Sequence, residues 1–263
     1  MTTVLSLPLA IFALASCGGS AVPAVYLRYD GLSDAVEVPS DPGFSVSAQG
    51  LTVAAWMRPD ALTFPKTEGS DPAEQYVHWL GKGKLSLSAE WTFRMYSQPG
   101  PRANRISFYV FEPGVRRGCG SYFQDPLVAG EWIHVAGVVD ASAQQTSIYK
   151  NGVFRHADSY ATLTLGAGTE PLRIGTRDLA SFFQGAIGRL QIWSRPLSAP
   201  EISGLFSGQV PRSGLVAEYP FDEGSGSTVH DDIAGHHGHV VSGTWQRGSG
   251  RISSGSGESG GGC

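Results

Sequence analysis

The sequence predicts an all-β fold, a two-sheet antiparallel jelly-roll sandwich with one short helix. Three observations carry this expectation. Runs of alternating apolar and polar residues recur about every 8–12 residues, with Gly, Pro, Asn or Asp between them. One junction, Asn151-Gly152, is the strongest short-range hairpin signal in the chain. Only one stretch, 198–206, combines helix-start chemistry with helical spacing. At 263 residues and 41% apolar content, the chain can bury one sizeable core. No Rossmann-like or TIM-like alternation of strand and helix is present.

The elements follow in order. Residues 25–38, VYLRYDGLSDAVEV, read as two strands about the Asp30-Gly31 turn. GLTVAAWMRP at 50–59 alternates with both faces apolar, as an interior sandwich strand does. Loop 60–74 is rich in Pro, Asp and Glu. YVHWL at 76–80 is a strand ending in Gly81-Lys82-Gly83, and 85–96 follows with Trp91, Phe93 and Met95 on one face. A polar loop spans 97–104, RISFYVF at 105–111 alternates cleanly, and GVRRGCG at 114–120 reads as a third loop. WIHVAGVV at 132–139 is strongly β-forming and pairs with TSIYK at 146–150. Residues 172–206 then close the fold. In its long strand the alternation places Ile187, Arg189, Gln191 and Trp193 together on one face. Ser198-Ala199-Pro200-Glu201 is a capping box with an early Pro, and Ile202, Leu205 and Phe206 face a core from the helix it starts. That helix is expected to cover one end of the sandwich.

The chain ends carry a different kind of information. Residues 4–15 are an apolar run of signal-peptide length, followed by Leu14-Ala15-Ser16-Cys17. This resembles a lipobox, in which Cys17 would be lipidated, although no Lys or Arg precedes the run. A simple cleaved signal and a packed N-terminal strand are the other readings. The expected division is 1–17 signal, 18–24 linker, 25–247 folded unit and 248–263 a disordered Gly/Ser tail. If Cys17 is acylated, Cys119 and Cys263 remain, either paired across a long closure or with Cys119 a lone loop thiol. The formal charge of −4 offers no nucleic-acid footprint. After the N-terminus no apolar run is long enough to span a membrane, so the expectation is an exported protein, lipid-anchored at a bacterial cell envelope or secreted, with membrane attachment by lipid anchor only.

Catalytic chemistry is poorly represented. Glu90 and Glu131 each precede a Trp at a strand or turn edge, and no Glu-x-Asp-x-x-Glu run exists. No Gly-x-Ser-x-Gly elbow occurs, and His134 alternates inside a strand as a structural histidine would. His230, Asp231, Asp232, His236, His237 and His239 have metal-binding side chains but read as a polar loop about Ala234-Gly235. Arg94, Arg102, Arg105, Arg116 and Arg117 cluster in and beside two successive loops. They are the expected contacts for a sulfated or uronic glycan, with Trp79 and Tyr96 as stacking platforms.

Five blocks resemble one family. YDGLSDAVEVP is similar to the opening FDG-x-x-D-x-V-x-V-P signature of the LamG-like (laminin G-like, concanavalin A-like) jelly rolls, including those of bacterial lipoproteins. LTVAAWMRP, GEWIHVAGVVD with TSIYKNGV, and LRIG with FQGAIGRLQIWSRPLSAPEI resemble later blocks in the same order, over about 26–206. The resemblance implies a sandwich of about a dozen strands with a concave face. It also implies an exported recognition module for carbohydrate or an extracellular protein. A structural calcium would fall to Asp30, Asp34 and Asp231 or Asp232. Residues 214–247 resemble a segment that usually precedes the first block, and either complete this sandwich or begin a truncated second unit. The function expected is non-catalytic binding. The alternatives are a glycoside hydrolase or lyase of this fold, or a surface protein that self-associates through sheet edges or tail.

Overall fold

A computed structural model describes residues 22–84, 88–115, 117–248 and 250–252. The expectations for the 1–17 signal with Cys17, for Arg116, for Cys263 and for the tail from 253 onward lie outside the described residues.

The strands run β1 Val25–Asp30, β2 Ala35–Val38, β3 Gly50–Pro59, β4 Tyr76–Lys82, β5 Trp91–Tyr96 and β6 Ile106–Glu112. There follow β7 Arg117–Phe123, β8 Glu131–Asp140, β9 Gln145–Lys150, β10 Val153–Ser159, β11 Leu172–Ile174 and β12 Gln184–Trp193. The helix α1 spans Ala199–Phe206. After it come β13 Leu215–Tyr219, β14 Thr228–Val229, β15 Gly238–Ser242, β16 Thr244–Arg247 and β17 Arg251–Ile252. The first sheet has the order β10-β9-β8-β3-β12-β1-β16, with β13 also on β12 and β17 on β8. The second runs β14-β15-β2-β11-β4-β5-β6-β7. Together they form the two-sheet antiparallel jelly roll that the alternating pattern predicts.

The β9–β10 hairpin turns at Asn151 and Gly152, with φ of 51° and 77°. Both residues are in the left-handed region that a two-residue hairpin turn demands and that Asn-Gly tolerates best. Between the sheets, Leu27, Val53, Phe93, Phe108, Val135 and Ile187 share one fully buried core. Each such side chain contributes about 1.5–3 kcal/mol relative to exposure. Residues 214–247 supply β13 and β16 to the first sheet and β14 and β15 to the second, so their strands lie in the same two sheets as the rest.

Several local readings change. The Asp30-Gly31 turn is not a hairpin: β1 lies in the first sheet and β2 in the second, so the turn is a corner between layers. In β12 the register shifts between Gly188 and Leu190, and Arg189 has φ of 43°. This bulge flips the alternation. Ile187, Leu190 and Ile192 enter the main core, while Trp193 points to the opposite face with Ile202 and Leu205. The helix consequently lies on the outer face of the first sheet, where Ala54, Ala136, Val138 and Tyr149 receive it, rather than at one end of the sandwich. The expected loop 114–120 is partly strand, because Arg117 to Gly120 already pair with β6. Cys119 is therefore a half-buried strand thiol, its pKa pushed up to about 11 by burial and by Asp158. The Gly/Ser tail also begins with structure: Arg251 and Ile252 pair in parallel with Glu131 and Trp132.

Candidate functional site

The register of the second sheet decides which side chains share its outer face. Tyr76 pairs with Tyr96 and His78 with Arg94 across β4 and β5. Thr92 pairs with Tyr109 and Arg94 with Ser107 across β5 and β6, and Ser107 pairs with Tyr122 of β7. Directly paired residues point to the same side. The core takes the alternate set, Trp91, Phe93, Met95, Ile106, Phe108 and Val110. The outer face is thus a field of tyrosines and cationic or polar groups on a rigid sheet.

Arg94 is its centre. Its guanidinium lies 4.5 Å from the Tyr76 ring centroid, 4.7 Å from that of Tyr109 and 5.5 Å from that of Phe111. These are cation–π distances. Its Nε is buried without a hydrogen-bond partner, and no carboxylate pairs with it among the described residues. Phe111 can lie flat here because Gly118 faces it: a Cβ on Gly118 would come within 2.5 Å of the Phe111 ring. Gly118 of β7 therefore leaves room for the aromatic ring beside it.

The edges of this face are polar. Arg105 stacks on Tyr122 at 4.0 Å and donates to Gln124 Oε1 at 2.9 Å. Arg102 donates to the Tyr96 hydroxyl at 3.4 Å and pairs with Glu74 at 3.0 Å. Beyond Tyr76 and Tyr96, Phe64, Gln75, Ser97 and Pro99 help to line a cleft of about 530 Å³. On the other side, Arg177 lies against Gly81, 5.6 Å from the Phe111 centroid, and pairs with Asp178 at 2.6 Å. His78 is fully buried between these groups. Its Nδ1 is 2.9 Å from Thr92 Oγ1 and its Nε2 is 3.6 Å from Glu68 Oε2. Burial first, then the charges of Arg177 and Arg94, hold its pKa well below the ordinary imidazole value.

The structure brings together Arg94, Arg102, Arg105 and Tyr96, but sorts the other expected contacts differently. Trp79 is fully buried, its ring centroid 4.8 Å from that of Phe93, and is a core residue on the same side of β4 as Val77. Tyr96 is 2% exposed, so its ring supports Tyr76 and Arg102 instead of offering a free platform. Arg117 sits at the β6–β7 end, paired with Glu112 at 3.2 Å and donating to the carbonyl of Thr162. Alternation in RISFYVF already places Tyr109 and Phe111 on one face. Tyr76, Glu68, Arg177 and Asp178 gave no such signal, because they reach the face from loops or through pairing with a neighbouring strand.

Three of the four expected calcium ligands, Asp30, Asp34 and Asp231, accept backbone hydrogen bonds in this structure. Asp30 Oδ1 accepts from the N–H groups of Leu32, Ser33 and Asp34 at 2.8–3.1 Å, and Asp34 Oδ2 accepts from Asp30 N at 3.0 Å. Although burial acts the other way, these backbone donors hold the Asp30 carboxyl below its usual range. Asp231 accepts from Glu218, Ile233, Ala234 and His236 N–H groups. Asp232 is exposed. These carboxylates organise two separate turns, and among the described residues the four do not converge on one point. Glu90 likewise has a structural partner, forming a buried ion pair with Lys82 while accepting from Gly168 N at 2.9 Å.

Residues 30–203 match the family model described as the concanavalin A-like lectin/glucanases superfamily. The chain belongs to this superfamily. No curated protein matches it. Among solved structures it is similar to a candidate carbohydrate binding protein from Bacteroides ovatus, with a TM-score of 0.58 and 14% identity. That likeness covers 88% of this chain and 62% of the other, so the chain spans less than two thirds of that protein's length. It is also similar to a heptameric SAP-like pentraxin from Limulus polyphemus, with a TM-score of 0.54 and 14% identity over 85% of this chain and 98% of the other. At these identities the likeness is one of fold.

Proposed function

We propose that this superfamily member is a non-catalytic carbohydrate-recognition module that receives an acidic glycan on the outer face of its second sheet. The observation that carries the reading is Arg94: a guanidinium without a carboxylate partner among the described residues, held between Tyr76, Tyr109 and Phe111. Aromatic rings offer apolar faces to sugar C–H surfaces, and a planar guanidinium grips a carboxylate or sulfate through paired donors. Arg105 and Arg102 extend the positive edge along the same sheet. The Bacteroides protein of similar fold, described as a candidate carbohydrate binder, adds support by analogy of fold only. The lipobox-like Cys17 supports export and lipid anchoring at a bacterial envelope, where such a ligand would be met.

Calorimetric titration with polyuronate, sulfated and neutral polysaccharides tests the proposal. The expected result is binding of an acidic polymer without release of reducing ends or unsaturated products. Arg94→Met is expected to weaken that binding about ten- to hundred-fold, the equivalent of one charged hydrogen-bonding contact. Undiminished binding in Arg94→Met would place recognition elsewhere. Cleavage of the polymer would show an enzyme.

A further inference from the structure

Glu68, His78 and Asp178 form a group whose ligand atoms all lie within 4.8 Å of one another. We propose that these three side chains hold a divalent transition cation of the zinc class. The proposal stands apart from the glycan reading, since a chain that bound zinc and no glycan would still satisfy it.

The first argument is geometric. His78 Nε2 and Glu68 Oε2 are 3.6 Å apart. That is too long for a hydrogen bond. Two ligands each about 2.1 Å from a tetrahedral zinc stand roughly 3.4 Å apart, so this separation suits two atoms that share a cation.

The second argument concerns the imidazole proton. Thr92 Oγ1 lies 3.0 Å from the carbonyl oxygen of Leu80 and 3.3 Å from that of Phe93. A hydroxyl has one proton, and a carbonyl can only accept. With that proton donated to a carbonyl, Thr92 accepts from His78 Nδ1–H. The Nε2 lone pair is then left facing the Glu68 carboxylate. His78 is fully buried, and its Nε2 has no hydrogen-bond partner. A lone pair turned toward a carboxylate in a buried site is unfavourable, and a cation between them converts the conflict into coordination.

The surroundings orient the carboxylates. Ser181 Oγ donates to Glu68 Oε1 at 3.0 Å, leaving Oε2 toward His78. Ala180 N donates to Asp178 Oδ1 at 3.2 Å, and Arg177 pairs with Oδ2 at 2.6 Å. Metal-binding carboxylates are commonly held by such outer partners. Arg177 and Arg94 also bring positive charge, which lowers affinity for any cation. An imidazole ligand therefore favours a zinc-class ion over calcium, which takes oxygen ligands. An orphaned imidazole nitrogen is not enough alone. His134 Nδ1 is also without a partner, but His134 packs against the rings of Trp56 and Phe206, which offer no ligand set.

The test uses the full chain, stripped with EDTA, dialysed and titrated with zinc chloride by calorimetry, with bound metal measured after equilibrium dialysis. One equivalent is expected to bind and to raise the melting temperature. Glu68→Gln and His78→Gln are each expected to weaken it about ten-fold or more. A double variant His237→Ala with His239→Ala is expected to retain it. Absence of zinc binding overturns the proposal. So does zinc that binds Glu68→Gln as tightly as the unaltered chain, which would place it on the exposed histidines. Should His78→Gln fail to fold, Glu68→Gln carries the same decision, because Glu68 is at the edge of the cluster and 14% exposed.

Discussion

The two sheets turn opposite kinds of surface away from the shared core. The outer face of the first carries Trp56, Trp132, Trp193 and Tyr26, all buried because α1, Val22 and Ile252 pack over them. The outer face of the second carries Tyr76, Arg94, Tyr109, Phe111 and Tyr122, on which no helix packs among the described residues. Each face also buries one histidine. His134 sits 5.3 Å from the Trp56 ring, whereas His78 sits among Glu68, Asp178 and Arg177. Aromatic content therefore does not separate a covered face from the proposed recognition surface. What separates them is whether the chain returns to cover the rings, and whether the cations between them have been given carboxylates.

Removing the cover should give the largest effect. Trp193 packs with Ile202 and Leu205, and its Nε1 donates to the Pro211 carbonyl at 2.8 Å. Trp193→Ala is expected to cost about 3–5 kcal/mol of stability, measured by denaturant unfolding. Glycan affinity of the folded fraction should persist. Loss of binding with stability intact would place recognition on the first sheet and reverse the comparison. Arg94→Met is the reciprocal change. Its expected cost is about 1.5–3 kcal/mol of binding, with unfolding shifted much less.

The division between faces was only partly legible in the sequence. Strand alternation, the Asn151-Gly152 turn and the capping box at Ser198 are local signals, and each produced its element. Trp193 was misplaced because the bulge in β12 changes which face a residue takes, and a bulge has no local signature as strong as a turn; Trp79 alternates with Val77 into the core, where an aromatic ring reads equally as packing or as a platform. Arg94, Arg102 and Arg105 were found because they are close in sequence. Tyr76 joins them by pairing of the neighbouring strands β4 and β5, whereas Glu68 and Asp178 reach the same face from loops, whose placement alternation does not reveal. The carboxylates of Asp30 and Asp231 accept backbone N–H groups of their own turns, a role that an Asp in a loop sequence does not distinguish from metal ligation.

The covered face also has a pH signature. Burial, with a smaller push from Arg189, lowers the His134 pKa to about 3. An unfolded chain takes up this proton near pH 6.5, whereas the folded chain refuses it until about pH 3. Stability from this group is therefore full above about pH 6.5 and falls with decreasing pH, by up to about 1.4 kcal/mol per pH unit. His134→Leu is expected to flatten the fall between pH 6.5 and 4.5, followed by denaturant midpoints. An unchanged slope would mean that His134 is not sealed, and that the cover over Trp56 opens more readily than its packing implies.

The smallest effect belongs to the start of the covering helix. Glu201 Oε2 accepts from Ser198 N at 2.8 Å, and Oε1 accepts from Arg195 at 2.6 Å. The Arg195 contact first, then the Ser198 donors, bring its carboxyl down to about 2 against partial burial. A lowered carboxyl stabilises the folded chain above its unfolded value near 4.5, and that contribution is lost as pH falls toward 2. The side chain is 31% exposed, so water screens the pair and the effect at neutral pH is about 1 kcal/mol or less. Glu201→Gln should therefore unfold slightly earlier than the unaltered chain at pH 7 and at the same denaturant concentration near pH 2. A difference that persisted near pH 2 would assign the loss to packing of the helix instead of to its charged cap, and the cover would then be held by Ile202, Leu205 and Trp193 alone.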